Sequence, residues 1–202
     1  MLSNVDERIN RRTLLETVIG CSLEVWEADK HGNKIGGYIK KPVDLITDQF
    51  GTFLANVLAA YINSTNLHVT CSMKDVAGAS KTMAFYTTQY PMGLSSYQKL
   101  GGLVGVGHGT TAAARTDYNL QSQDGSWTAL SGNAVWTSAT GKVTFAGSVL
   151  LAAGADVTEA GLEVNLSSTT YTLGSFLFLH DIFSVVTIAA GKYAHVAYEL
   201  QL

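Results

Sequence analysis

Charged side chains are scarce in this sequence. Only 14% of its 202 residues are Asp, Glu, Lys or Arg, whereas soluble domains usually carry about 25%. Hydrophobic residues make up 47%, so the chain can bury enough surface to offset the entropy lost on folding, which excludes intrinsic disorder. The net charge of -3 excludes a basic protein that binds nucleic acid non-specifically. The length fits one domain, with or without an extra arm.

Cysteine and long apolar runs are rare as well. Cys21 and Cys71 have no CxxC motif or Cys/His cluster around them, so the sequence offers no zinc site. We expect two buried free thiols, with pairing in an oxidising compartment as the alternative. No stretch reaches the roughly 18 uninterrupted apolar residues of a membrane helix. Residues 1–18 carry charges where a secretory signal needs an apolar core, which predicts a soluble protein made in a cytoplasm.

The few charges are concentrated near the N-terminus. Residues 1–50 hold 15 of the 29 charged side chains, and the remaining 152 residues hold 14. A free monomer needs a charged or strongly polar coat to stay soluble. A surface of Thr, Ser, Gly and Ala is therefore expected where neighbouring subunits cover it. We favour assembly, and the alternative is a Thr-rich β-protein that is soluble alone.

Residue spacing predicts two helices and a hairpin in the first third of the chain. Residues 4–18 have the cap and the acidic first turn of a short helix. Residues 21–42 predict a β-hairpin with Gly and Asn in its turn. Residues 45–62 predict an amphipathic helix that is capped by Thr47 or Asp48 and covers one end or face of a sheet.

The remainder of the chain is predicted to form strands. Short apolar segments alternate with turn signals about every ten residues, and residues 193–202 show clean period-two alternation. The predicted fold is mainly β: an antiparallel β-sandwich, jelly-roll-like, with one amphipathic helix and an N-terminal helix-plus-hairpin arm. Residues 1–42 are predicted to form the anchoring arm, and residues 43–202 the β-sandwich domain.

A glycine-rich segment at residues 101–111 suggests a phosphate-binding loop. Such a loop needs GxGxxG opening a helix, or GxxxxGK followed by Ser or Thr. Thr110 stands where the third glycine belongs, and Gly141-Lys142 leads to valine. A strand end that bulges and bends is the better interpretation.

The histidines give no local catalytic or metal motif. None has a histidine partner three or four residues away, and no GxSxG elbow exists. His180 and Asp181 are neighbours in a predicted strand and should point to opposite faces. A Ser-His-Asp site assembled from distant positions stays open, and an enzyme would need His180 or His195 in a cleft beside a carboxylate. We predict no catalytic, cofactor-binding or metal-binding residue and no cofactor. The five histidines are His31, His68, His108, His180 and His195.

Two further sets of side chains could form a carbohydrate site. Glu159 and Glu163 are the one close glutamate pair of the β region, and paired carboxylates hydrolyse glycosides, but we predict that both are solvated turn residues. Aromatic rings can stack on a sugar, although core packing or subunit contact is expected of them. The aromatic candidates are Trp127, Trp136, Tyr171 and Tyr193.

Several short segments follow one another in a characteristic order after residue 43. They are residues 44–51 (DLITDQFG), 105–112 (GVGHGTTA), 116–120 (TDYNL), 157–162 (VTEAGL), 176–179 (FLFL) and 183–186 (FSVV), ahead of the final strand. This order resembles a family of β-rich virion proteins of tailed bacteriophages, usually labelled tail, fibre or minor structural proteins. The resemblance covers roughly residues 44–202. It implies an antiparallel sandwich, a multi-copy place in the particle and no catalytic residues.

The sequence departs from that family pattern at two places. A charged arm precedes Asp44, and alanines at residues 112–114 replace the usual proline after the glycine-threonine stretch. The arm leaves the position in the particle open.

The sequence thus predicts a non-enzymatic structural component of a bacteriophage virion, made in the host cytoplasm. We expect it at the tail, neck or fibre base, with capsid decoration as the alternative. Its expected partners are copies of itself and other capsid or tail proteins, reached through the charge-poor surface and through the arm, which would add its hairpin to a neighbour or wrap along it. Nucleic acid and membrane are not expected partners. A carbohydrate- or receptor-binding module that contacts a host glycan is the second alternative.

Overall fold

A computed structural model describes residues 20–43, 46–62, 69–85, 98–131, 135–137, 141–168 and 172–201. The helix predicted at residues 4–18 lies outside this part of the chain. Within it, strands β1 (Gly20–Ala28) and β2 (Lys34–Pro42) precede helix α1 (Asp48–Ile62). The other strands are β3 (Val69–Lys74), β4 (Ser80–Phe85), β5 (Gln98–Gly107), β6 (Gln123–Ala129), β7 (Val135–Thr137), β8 (Lys142–Leu151), β9 (Ala155–Ser168), β10 (Thr172–Ile188) and β11 (Lys192–Gln201).

Two antiparallel sheets face each other across one core. The five-stranded sheet has the order β2-β1-β11-β8-β7, and the four-stranded sheet has the order β10-β9-β5-β6. β3 and β4 form a separate hairpin. Alternate apolar side chains of both large sheets point inward, which confirms the predicted mainly β fold and its sandwich. The shared core includes Leu23, Val25, Val149, Val196 and Tyr198 from the first sheet and Val104, Val106, Leu162, Leu179 and Ile188 from the second.

The hairpin predicted at residues 21–42 is present, but it is built into the five-stranded sheet. β1 pairs with β11 along its whole length, from Gly20 opposite Gln201 to Ala28 opposite Tyr193. Leu23 and Val25 of β1 are completely buried. The boundary predicted after residue 42 therefore crosses one packed unit, because the hairpin shares its core with the strands that follow. Deleting residues 1–42 would remove two strands and part of that core.

Helix α1 covers the edge strand of the four-stranded sheet. Its predicted cap is confirmed, because the buried Thr47 hydroxyl accepts a bond from the Phe50 amide at 3.5 Å and donates to the Leu177 carbonyl at 2.6 Å. The rings of Phe50 and Phe53 both lie 5.2 Å from the ring of Phe178 in β10. The amphipathic pattern thus packs the phenylalanine side of the helix against β10, as predicted.

The connection between β5 and β6, residues 108–122, folds over the outer face of the four-stranded sheet. Val104 and Val106 face the core, so Gly105 faces outward. A side-chain carbon at Gly105 would lie 2.7 Å from the Trp127 ring, and one at Gly161 would lie 3.0 Å from Leu120. These glycines therefore leave room for a second layer of packing above the sheet. The connection is called the β5–β6 loop below.

Candidate functional site

Glu159 of β9 holds the two ends of the β5–β6 loop together. Its side chain is completely buried. One carboxylate oxygen accepts bonds from the amides of Gly109 (3.1 Å) and Ser122 (2.7 Å), and the other accepts a bond from the amide of Gln121 (2.9 Å). The prediction that Glu159 is a solvated turn residue is therefore wrong, because the loop supplies donors that satisfy a buried carboxylate.

His180 of β10 lies between two carboxylates beneath the same loop. Its Nε2 is 3.0 Å from Glu159 Oε2, and its Nδ1 is 2.7 Å from Asp117 Oδ2. Burial alone would lower the pKa of His180, but the hydrogen bonds and charges of both carboxylates raise it above its usual value. Burial would also raise the pKa of Glu159, yet the bonds from His180 and the three amides hold it below its usual value. The imidazole is therefore held between two acids, of which Glu159 is completely buried and Asp117 is partly exposed.

An enzyme would need His180 beside a carboxylate and in an open cleft, and only the first of these conditions is met. The carboxylates are present, but the His180 side chain has no exposed surface, so a substrate cannot reach it. Glu159 has both oxygens engaged and is not free to transfer a proton in glycoside hydrolysis. The geometry fits a link that fastens the β5–β6 loop to β9 and β10.

Glu163, four residues further along β9, is also buried, with 2% of its surface exposed. The prediction that it is a solvated turn residue is likewise wrong. Burial raises the pKa of its carboxyl, against a smaller opposing effect of a hydrogen bond with Ser175. Its Oε2 has no hydrogen-bond partner. Glu159 and Glu163 are thus buried in environments of opposite character.

A second histidine cluster lies at the mouth of the same loop and is open to solvent. His108 Nε2 is 2.6 Å from Ser122 Oγ, and His108 Nδ1 is 3.0 Å from both carboxylate oxygens of Asp124. The His108 side chain is 58% exposed. The β5–β6 ladder brings these residues together, because Gly107 is opposite Gln123. The sequence left open a Ser-His-Asp combination assembled from distant positions. The structure contains one, but its histidine is His108 and not His180 or His195.

A third histidine lies on the outer face of the five-stranded sheet. His195 of β11 stacks on Trp26 of β1 with ring centroids 4.2 Å apart, and its Nδ1 is 2.7 Å from Ser148 Oγ. Burial lowers the pKa of His195. Cross-strand pairing places Tyr38 on the other side of Trp26 and Leu150 beside Tyr193. These five apolar and aromatic side chains form one outward surface, called the aromatic face below: Trp26, Tyr38, Leu150, Tyr193 and His195.

The structure places Trp127 and Tyr193, two of the four aromatic residues that the sequence grouped as a carbohydrate candidate, on different sheets. Trp127 packs over the glycines on the outside of the four-stranded sheet, whereas Tyr193 belongs to the aromatic face on the other sheet. Tyr171 lies outside the described residues, as does the side chain of Trp136. Trp26 and Tyr38 were missed because hairpin residues carry no signal for the strand that will pair beside them.

The other sequence candidates have simpler surroundings. His31 is exposed in the β1–β2 turn, and His68 lies outside the described residues. Cys21 is a free thiol, as predicted, but it is half-buried and not fully buried. Burial together with the charge of Asp181 raises its pKa to about 12. The side chain of Cys71 lies outside the described part.

In the described part of the chain, no group of His, Cys, Asp and Glu is placed to hold a metal ion. No helix in that part is long and apolar enough to cross a bilayer. Comparison with protein-family models, curated proteins and solved structures finds no match to this chain.

Proposed function

We propose that this chain is a multi-copy structural component of a tailed-bacteriophage virion, placed at the tail, neck or fibre base, with capsid decoration as the alternative position. Its work in the particle is attachment, and a second copy of the chain docks on the aromatic face. The low charge after residue 50 and the order of the phage-like segments support this proposal.

The aromatic face is the observation that carries the proposal. Leu150 is 48% exposed and Tyr38 is 45% exposed, although both lie on a sheet whose other face is a well-packed core. Contiguous exposed apolar side chains are typical of interaction surfaces. Aromatic residues are enriched in protein interfaces because they bury a large area while their polar groups keep hydrogen bonds.

Attachment through the face agrees better with the structure than strand addition through the hairpin. β2 is the edge strand of the five-stranded sheet, and it carries Lys34, Lys40, Lys41 and Pro42. Lysine and proline on an edge strand discourage pairing with another chain. We therefore assign attachment to the aromatic face, which includes outward side chains of the hairpin, and not to the open edge of β2.

The test is the molar mass of the purified chain by light scattering, compared with two variants. The double variant Tyr38→Ser with Leu150→Ser should lower the mass to that of a monomer. The control is Val185→Ser, because Val185 is 56% exposed but lies on β10, away from the face. A monomeric wild-type chain, or equal loss of mass in the control, would show that the face does not join copies.

Carbohydrate binding is a second candidate, favoured by the same surface. Tyr38 is 45% exposed beside Trp26, with the Lys34 ammonium over one face of its ring. The adjacent Glu24 and Lys40 bond to each other and would exchange that contact for sugar hydroxyls. Glycan-array binding that disappears in Trp26→Ala would support this candidate. The two candidates give different results, because a carbohydrate-binding protein does not need to self-associate and its molar mass does not have to fall in the double variant.

A further inference from the structure

We infer that Ser122, His108 and Asp124 form a nucleophilic site that takes the acyl group of small activated carboxylic esters, beyond the proposed structural role. Three side chains with complementary functions meet within hydrogen-bond distance at the mouth of the β5–β6 loop. The oxygen-nitrogen distances are 2.6 Å for Ser122 to His108 and 3.0 Å for His108 to Asp124. Such contacts place a hydroxyl, its general base and the group that orients the base in one line.

The nitrogen atoms of His108 are used in the order that this chemistry needs. Nδ1 faces the Asp124 carboxylate, which only accepts hydrogen bonds, so Nδ1 carries the proton. In the neutral ring, Nε2 then presents its lone pair to the Ser122 hydroxyl and can remove its proton. In serine hydrolases the carboxylate likewise holds the proton on Nδ1 and Nε2 acts as the base.

The surrounding backbone fixes the relative position of base and nucleophile. The His108 amide donates to the Ser122 carbonyl at 2.9 Å, and the Ser122 amide donates to the buried Glu159 carboxylate at 2.7 Å. Asp124 belongs to β6 and is opposite Val106 of β5. A nucleophile held on such a frame loses little entropy on reaching the reactive geometry.

The same contacts restrict the class of substrate. The amides of Ser122 and Gly109 are both committed to Glu159, so neither can donate to the oxyanion of a tetrahedral intermediate. An oxyanion hole is a large part of the power of hydrolases. We therefore expect reaction with aryl esters and fluorophosphonates, whose leaving groups depart readily, and no cleavage of amides.

The reaction consumes one ester and one water per cycle. Ser122 Oγ forms a bond to the ester carbonyl carbon while its proton moves to His108 Nε2, and the carbon–aryl oxygen bond breaks as the phenol takes that proton. Water then attacks the acyl-serine, gives a proton to Nε2 and releases the carboxylic acid as Ser122 regains its proton. Asp124 orients His108 and stabilises its cation throughout.

Labelling with a fluorophosphonate, located by peptide mass spectrometry, tests the site directly. The chain contains its own control: Ser148 Oγ is 2.7 Å from His195 Nδ1, a serine-histidine contact in which the stacked imidazole is paired with Trp26 instead of a carboxylate. The label is expected on Ser122 and not on Ser148. Equal labelling of both serines, or no label on Ser122, would overturn the inference.

Hydrolysis of p-nitrophenyl acetate by the full chain gives the second readout. Ser122→Ala and His108→Gln should each lower the rate by about a hundredfold, and Asp124→Asn should lower it while leaving the fold unchanged by circular dichroism. Ser148→Ala should keep the wild-type rate. If Ser122→Ala hydrolyses the ester as fast as wild type, His108 is acting as an isolated surface imidazole and the proposed nucleophile is wrong.

Discussion

At the scale of single residues, the structure shows how two glutamates of one strand acquire opposite roles. Glu159 and Glu163 are both buried in β9, but Glu159 receives three backbone amides and His180, whereas one oxygen of Glu163 has no partner. The sequence could not distinguish them, because the amides that satisfy Glu159 are 37 to 50 residues away in the chain.

Glu159→Ala should destabilise the fold strongly. The substitution leaves three buried loop amides without their acceptor and leaves Asp117 as the one carboxylate bonded to His180, and loss of one partner of a buried charge pair typically costs about 3–5 kcal/mol. Urea denaturation measures the loss. Glu24→Ala, which removes the partner of Lys40 on the exposed sheet face, is the control and should change stability little. Equal effects of both substitutions would contradict the assigned role of Glu159.

Glu163→Gln should have the opposite effect from Glu159→Ala at neutral pH and should stabilise the fold. Burial raises the pKa of Glu163 above its ordinary value of 4.5, so the folded state holds its proton more tightly than the unfolded state. Stability from that proton is present at low pH and is lost as the pH rises. The amide cannot ionise, so the variant should gain stability over wild type between pH 4.5 and pH 7. The stability difference between the variant and wild type should therefore grow from pH 4 to pH 7. A difference that shrinks over this range would contradict the prediction.

His180 sets the alkaline side of the stability profile. Its pKa is raised from the ordinary value of 6.5, so its contribution is complete below pH 6.5 and declines as the pH rises through the folded value. The pKa of Glu159 is lowered from 4.5, so its contribution to stability is lost only as the pH falls below 4.5. Titration of the His180 ring by NMR should give a midpoint above the ordinary histidine value of 6.5. A midpoint below 6.5 would mean that burial outweighs the two carboxylates.

At the scale of elements, local signals predicted more than long-range ones. Helix α1 was predictable because its cap and its aromatic spacing lie within the helix itself, and the β1–β2 hairpin because Asp29 binds the amides of His31 and Asn33 across the turn. The pairing of β1 with β11 was not predictable, since period-two alternation states which face is buried but not which strand is adjacent.

Thr47→Val distinguishes the contribution of the N-cap of helix α1 to stability from that of side-chain packing at residue 47. The substitution keeps the volume of this buried side chain but removes the hydroxyl that bonds to the Leu177 carbonyl and receives the Phe50 amide. Loss of an N-cap costs about 1–2 kcal/mol, measurable by thermal or urea unfolding. Thr47→Ser retains the hydroxyl and should recover most of that loss. If serine is no better than valine, the methyl group matters more than the cap.

At the scale of the whole molecule, the proposed assembly depends on apolar contact more than on ion pairs. The aromatic face presents four rings and one leucine, and in the described part of the chain the one ammonium group seen over its rings is that of Lys34, which lies 3.1 Å from the centroid of Tyr38. Self-association should therefore change little between about 0.1 and about 0.5 M NaCl, a range over which screening weakens contacts between exposed charges. Sedimentation velocity at both concentrations provides the measurement. Dissociation at the higher concentration would point to the charged residues of the hairpin instead.

The pairing of β1 with β11 also has a consequence for biosynthesis. Ser22 and Glu199, which bond across these strands, are 177 residues apart. A ribosome that adds roughly 5–20 residues per second therefore makes β1 about 9 to 35 seconds before its neighbour exists. During that interval β1 can pair with β2 alone, and its other edge stays open. The nascent chain therefore passes through a vulnerable period in which chaperone binding to β1 would protect it from premature association.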